Sequence, residues 1–191
     1  IIAVAALEEG VIGLNDTVNC TGIYKEISPA LRCWIYPGQH GPLDVVHGIQ
    51  NSCNVFFSEM GHRLSMDENG NYSPELGIEK IRKYASLFGL DETSGIEIAE
   101  REPQMTTEKP EASSIGQGKN SYSNVQLSRY ITAVANKGTV FKLSLLDKMT
   151  DSQGNLLEDF TPEVRSVIDV KDSTWNAVHT GMRRVISDGS A

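Results

Sequence analysis

No run of apolar residues in this 191-residue chain approaches the roughly 20 that a membrane-spanning helix needs. The nearest, Ile1–Leu7, is too short, and it lacks the basic start and small-residue cleavage site of a secretion signal. Basic residues are scarce: 17 Lys and Arg stand against 25 Asp and Glu, giving a net charge of −8. With nothing basic clustered enough to displace phosphate counterions, the composition argues against a nucleic-acid partner. No internal repeat and no low-complexity tract is present, which argues against a repeat array or a compositionally disordered chain. Cysteine is sparse, three in all, and an odd number cannot pair completely within one chain.

What is present is an ordinary globular composition, long enough to bury one sizeable core. Ile1–Glu9 reads as a buried helix closed by Gly10, with no polar cap before it. That open start suggests that residues 1–191 are the central part of a single domain, incomplete at both ends. "GPLDVVHGIQNSCNVFFSEMGHRL" spaces Val45, Val46, Ile49, Cys53, Phe56, Phe57, Met60 and Leu64 helically, with Pro42 suited to the first turn. "ELGIEKIRKYASLFGL" predicts a helix ending at Gly89. "SNVQLSRYITAVANKG" predicts another, opened by a Ser123–Gln126 capping box and closed at Gly138. Asp91–Lys119 is polar and contains proline, so it reads as loop with at most short strands. "TVFKLSLLDKM", a turn at Ser152–Asn155 and "LLEDF" predict a hairpin, and "VRSVIDV" a further strand. A last helix puts Trp175, Val178, Met182 and Val185 on one face. The fold class expected is α+β, mostly α, with a few short strands.

One short stretch, "NSCNVFF", poses the functional question. Ser52 and Asn54 are two residues apart, which on a continuous helix would set them about 200° from each other. A shared site therefore requires the helix to break at 52–54. Otherwise the two are polar residues on one long helix.

The order and spacing of "HGPLDVVHGIQNSCNVFF", "FGLDETSGIEI", "SSIGQG" and "VQLSRYITAVANKGTV" resemble the transpeptidase domain of class B penicillin-binding proteins. That superfamily is marked by serine-x-x-lysine, serine-x-asparagine and lysine-threonine-glycine motifs. The resemblance implies a D,D-transpeptidase that cross-links peptidoglycan stem peptides and is acylated by β-lactams. In it Ser52 joins the proton relay and Asn54 holds the substrate amide, while Gly116, Gln117 and Gly118 form a turn near the site entrance. The aspartate usual ahead of that turn is not obvious here. The resemblance places the nucleophile and its lysine just before Ile1 and the lysine-threonine-glycine strand after Ala191. The chain as it stands is then expected to be inactive. The parent is expected at the extracytoplasmic face of the cell membrane, held by a segment outside this chain and working with the cell-wall synthesis machinery. Two other readings stand beside it: a β-lactam sensor that shares the domain but signals, and a zinc-stabilised helical module acting only through partners.

Cys20, Cys33 and Cys53 frame a loop that contains His40. Three thiolates and an imidazole suit a closed tetrahedral zinc site. A Cys20–Cys33 disulfide with Cys53 a buried thiol, or three free thiols, are the alternatives. The resemblance adds that some elongation-type members carry zinc beside the second motif, with a ligand where Cys53 stands. His47 is a weaker ligand candidate; His62 and His179 read as structural.

Overall fold

Five residues in a row, Ala3–Leu7, are buried in helix α1 (Ile2–Glu8). This computed structural model describes residues 1–188; residues 189–191, the end of the 1–191 span, lie outside the described residues. Four short strands follow α1: β1 (Val18–Cys20), β2 (Ile23–Tyr24), β3 (Leu31–Arg32) and β4 (Gly41–Leu43). Next come α2 (Val45–Gln50), α3 (Asn54–Leu64), α4 (Pro74–Leu87), α5 (Pro110–Ser113) and α6 (Asn124–Ala135). The order ends with β5 (Thr139–Lys142), β6 (Lys148–Thr150), β7 (Leu156–Asp159), β8 (Glu163–Val167) and α7 (Asp172–Ser187). Every sheet among the described residues has two strands, so the chain is α+β and mostly α, as expected.

These elements form two compact units. The first comprises Ile1–Ala85, Met105–Asn120 and the described residues from Val170 onward. Its central element is α3, which buries Val55, Phe56, Met60 and Leu64 and packs against α1, α5 and β1–β3. In the cysteine loop, β1 pairs antiparallel with β4, setting Cys20 opposite Gly41, and β2 pairs with β3. The sequence shows no sign of these strands because two or three residues are too few for alternation to register. Pro42 belongs to β4, so the helix expected from it starts later, with Asp44 as N-cap accepting the His47 N–H at 2.9 Å. The polar stretch 91–119 holds the short helix α5: Lys109, at φ 56°, turns the chain into Pro110, which suits a first helical position.

Helix α7 departs from its expected stripe. Trp175 and Val178 are buried, but the next core position is Gly181, and Met182 is exposed. A Cβ on Gly181 would lie 2.8 Å from the Cβ of Ile49, so α2 sits too close for any side chain there.

Glu9, just past α1, ties that helix to α4, accepting from Lys83 Nζ at 2.7 Å and Tyr84 Oη at 3.1 Å. Burial works against its ionisation, but those two hydrogen bonds and the charges of Lys83 and Lys80 outweigh it, holding the carboxyl below its ordinary value. A carboxyl depressed in the folded state adds stability above its unfolded pKa, and that stability is lost as pH falls through the folded value. Glu9→Gln should therefore lower stability by about 1 kcal/mol at neutral pH. Urea titrations should show the gap to wild type closing below about pH 4; a gap independent of pH would refute the ionic contribution.

The second unit comprises Ser86–Gln104 and Ser121–Asp169. Helix α6 opens with both halves of the expected Ser123–Gln126 capping box. The hairpin is built differently from the sequence reading: "TVFKLSLLDKM" divides into two strands. β6 pairs with β7 across the Asp151–Asn155 turn, and β5 pairs with β8. The Asp151 carboxylate accepts the N–H groups of Gln153 and Asn155, each at 2.8 Å, so the turn is fixed locally.

Candidate active site and metal centre

Helix α2 stops because two hydrogen bonds close it. The Ser52 N–H donates to Ile49 O at 3.0 Å and the Cys53 N–H to Gly48 O at 3.1 Å. This pair of bonds ends a helix when the residue after the C-cap is left-handed, a position that usually falls to glycine. Here it falls to Ser52, at φ 45°. Cys53 then turns outward into extended backbone and caps α3, its Sγ accepting the Phe56 N–H at 3.4 Å. The helix thus breaks at 52–54, and Ser52 and Asn54 escape the opposed orientations of a continuous helix. Gly48 lets the two helices meet tightly, since a Cβ there would fall 2.7 Å from the Phe56 ring. Ser52 is exposed, while the Asn54 carboxamide donates to Arg32 O at 3.1 Å.

The cysteine loop converges on the same junction. Cys20, Cys33, His40 and Cys53 each offer a ligand atom, all within 4.8 Å of one another. The three cysteines are buried free thiols, so the Cys20–Cys33 disulfide is not formed. Cys33 Sγ lies 3.9 Å from Cys53 Sγ and 3.7 Å from His40 Nδ1. The edges of a zinc tetrahedron with ordinary bond lengths are about 3.8 Å between sulfurs and about 3.6 Å between sulfur and nitrogen. The residues present fit the metal. His40 Nδ1 is the ring nitrogen that faces Cys33 Sγ, and His40 Nε2 is buried without a hydrogen-bond partner among the described residues.

The thiols differ in their surroundings. Burial pushes the Cys53 thiol well up, and its neighbours Cys20 and Cys33 add to that. Cys33 is also buried, but N–H groups of Ile35, Asn54 and Val55 point at its sulfur and bring the thiol below its ordinary value. Two of those donors are the first residues of α3, so the helix that carries Asn54 also supports the Cys33 thiolate. Burial lowers His40, keeping the imidazole in the neutral form that binds metals.

Sequence reasoning missed two residues of this junction. The Trp34 indole N–H donates to Asn51 O at 2.8 Å, and the Arg32 carbonyl holds Asn54. The legible signal was an aromatic residue directly after a candidate ligand. His47 lies outside the metal set, its Nδ1 2.7 Å from Asp44 Oδ1 and its Nε2 accepting from Arg184 at 2.9 Å. His62 pairs with the buried Glu111 at 3.2 Å and stacks on Tyr72, and His179 lies against Trp175. Gly116 and Gly118 are both left-handed, at φ 79° and 102°, on a turn after α5. Exposed Gln117 between them helps line a cavity of about 500 Å³, together with Tyr72, Glu75, Lys109 and Glu111.

With this geometry in hand, comparison with known proteins gives one consistent answer. The family model of the penicillin-binding protein transpeptidase domain matches residues 1–191. Penicillin-binding protein 2A of Bacillus subtilis (strain 168) is 26% identical over 206 residues, covering 97% of this chain and 27% of that protein. The peptidoglycan D,D-transpeptidase MrdA of Escherichia coli (strain K12) is 26% identical over 198 residues, covering 95% of this chain and 29% of that protein. Among solved structures, penicillin-binding protein 2B of Streptococcus pneumoniae (strain R6) superposes with a TM-score of 0.80 at 21% identity. That match covers all of this chain and 33% of the other. The chain thus spans about a third or less of the length of these relatives.

Proposed function

We propose that this chain, which belongs to the penicillin-binding protein transpeptidase domain family, is the part of a peptidoglycan D,D-transpeptidase that carries the second active-site motif and its support. The observation that carries this reading is the backbone of Ser52. Its left-handed conformation is one that glycine adopts freely and serine adopts at a cost. A hydroxyl retained at such a point is worth its strain if it takes part in chemistry.

In the reaction, a serine outside these residues attacks the penultimate D-alanine carbonyl of a stem peptide. The new ester bond forms as the peptide C–N bond breaks and D-alanine leaves, and an amine on a neighbouring stem then takes the acyl group. Ser52 passes the proton from the nucleophile's side to the departing amine, and Asn54 holds the substrate amide. The carboxamide nitrogen carries two hydrogens, of which Arg32 O takes one. Gly116, Gln117 and Gly118 border the entrance. Cys20, Cys33, His40 and Cys53 would hold zinc, which would serve there as a structural tie between the cysteine loop and the α2–α3 junction. The 191 residues contain no serine-x-x-lysine and no lysine-threonine-glycine, so alone they should not be acylated. The parent works at the extracytoplasmic face of the cell membrane, with the cell-wall synthesis machinery as partner and β-lactams as inhibitors.

The test is covalent labelling of the intact parent by a fluorescent penicillin. Labelling is expected, and Ser52→Ala should slow it by about 100-fold or more. Normal labelling of that variant would remove Ser52 from the mechanism.

A further inference from the structure

Three consecutive residues of the cysteine loop grip the α2–α3 junction on both sides of Ser52. Before it, the Trp34 indole N–H takes the Asn51 carbonyl at 2.8 Å. After it, Arg32 O takes the Asn54 carboxamide at 3.1 Å, and Cys33 Sγ receives the backbone N–H groups of Asn54 and Val55. Ser52 itself stands between these anchors, exposed and left-handed.

Of these anchors, Trp34 is the one with no other evident task. Its side chain is 52% exposed, so burial of the ring does not explain its place. Asn51 is the C-cap of α2, where carbonyls are left without partners inside the helix. The Asn51 carbonyl belongs to the peptide unit that enters Ser52. Rotating Ser52 back to the ordinary helical or extended region swings that peptide and breaks the indole bond. With α3 held by its own packing, the bond therefore favours the left-handed form of Ser52. Trp34 is fixed in turn by its neighbour Cys33 and by an edge-on contact of its ring with His40 at 5.3 Å.

We infer that Trp34 is a positioning residue: its indole N–H, anchored by the Cys33–His40 loop, holds Ser52 in the left-handed conformation in which the hydroxyl is presented. The inference rests on the reading of Ser52 as part of the relay, but the clamp itself is measurable without that reading.

The experiment is a double-mutant cycle on the intact protein, read by chemical denaturation, with Trp34→Phe and Ser52→Gly as the two changes. Trp34→Phe keeps an aromatic ring and removes the N–H. With Ser52 in place, the folding equilibrium constant should fall about tenfold, the loss of one hydrogen bond. In the Ser52→Gly background the fall should be about threefold or less, because glycine holds φ > 0 unaided. Equal falls in both backgrounds would make Trp34 merely structural and overturn the inference. The second readout is acylation by a fluorescent penicillin. Trp34→Phe should lower the acylation rate constant about tenfold while leaving the pre-covalent dissociation constant and the zinc content unchanged. A loss confined to pre-covalent binding, or one that tracks loss of zinc, would also overturn it. If Trp34→Phe does not fold, the amide-exchange protection of the indole N–H in wild type decides. Protection in the half-exposed ring supports the bond, and free exchange refutes it. Normal labelling of Ser52→Ala would defeat the relay, yet the coupling measured by the cycle would still support or overturn the clamp.

Discussion

In the intact parent protein, replacing Ser52 with glycine should raise stability and, under the relay role proposed for Ser52, nearly abolish acylation by penicillin. The two effects come from the same atoms. A non-glycine residue in the left-handed region brings its Cβ too close to the following carbonyl oxygen, at about 1 kcal/mol or more. Ser52 adopts that region at φ 45°, at the end of a helix closed by its own N–H and that of Cys53. Glycine relieves the clash, with part of the gain returned through its freer unfolded chain, so the net gain should be about 0.5–1 kcal/mol. The hydroxyl goes with the Cβ, and losing a proton-transfer group costs about 10²–10⁴ in rate. Ser52→Ala separates the two consequences: it keeps the strained Cβ, so stability should stay near wild type while acylation falls as far. Denaturant midpoints for the three proteins, set beside penicillin labelling rates, check this. If Ser52→Gly proves no more stable than Ser52→Ala, the strain is absent. If it labels normally, the hydroxyl has no part in the reaction.

The same junction shows how much of the molecule was legible in its sequence. That the helix must break at 52–54 followed from the spacing of Ser52 and Asn54 once both were assigned to one site, and the structure breaks it there. How it breaks was not legible, because left-handed serine carries no compositional mark. The convergence of Cys20, Cys33, His40 and Cys53 was one of three arrangements their types and spacing allowed, and the structure brings the four together. The strands that bring them together were hidden, because pairs as short as Ile23–Arg32 and Tyr24–Leu31 depend on tertiary contacts rather than on pattern. The helices α1, α4 and α6 were found through apolar periodicity and end signals. Where that failed, on α7, a helix–helix approach at Gly181 had replaced a core side chain by backbone contact. Backbone carbonyls as partners, such as Asn51 O for Trp34 and Arg32 O for Asn54, leave no trace in sequence, since every residue has one.

If the four candidate ligands hold zinc, as proposed, removing it should loosen the α2–α3 junction without any change to Ser52 or Asn54 themselves. The candidate ligands Cys33 and His40 sit on the loop that brackets Ser52, and Cys53 is both a candidate ligand and the N-cap of α3. Structural zinc sites contribute about 10 kcal/mol or more of binding free energy that becomes folding free energy. A chelator strong enough to strip the protein should lower its melting temperature by about 10 °C or more and slow penicillin labelling. Acid should act in the same direction. Zinc binding requires deprotonated thiols and a neutral imidazole, and burial of His40 also disfavours its charged form when no metal is bound. An unfolded chain takes up that proton near pH 6.5 while the folded one resists, so stability falls as pH drops below about 6.5. Cys53→Ala should be more damaging than Cys20→Ala, because it removes the Phe56 N–H acceptor along with a ligand. Elemental analysis of the purified protein checks the premise: about one zinc per chain in wild type, and less than about 0.2 in Cys53→Ala. Wild-type protein purified without zinc, and unmoved in melting temperature by the chelator, would show that the four residues pack together for burial alone.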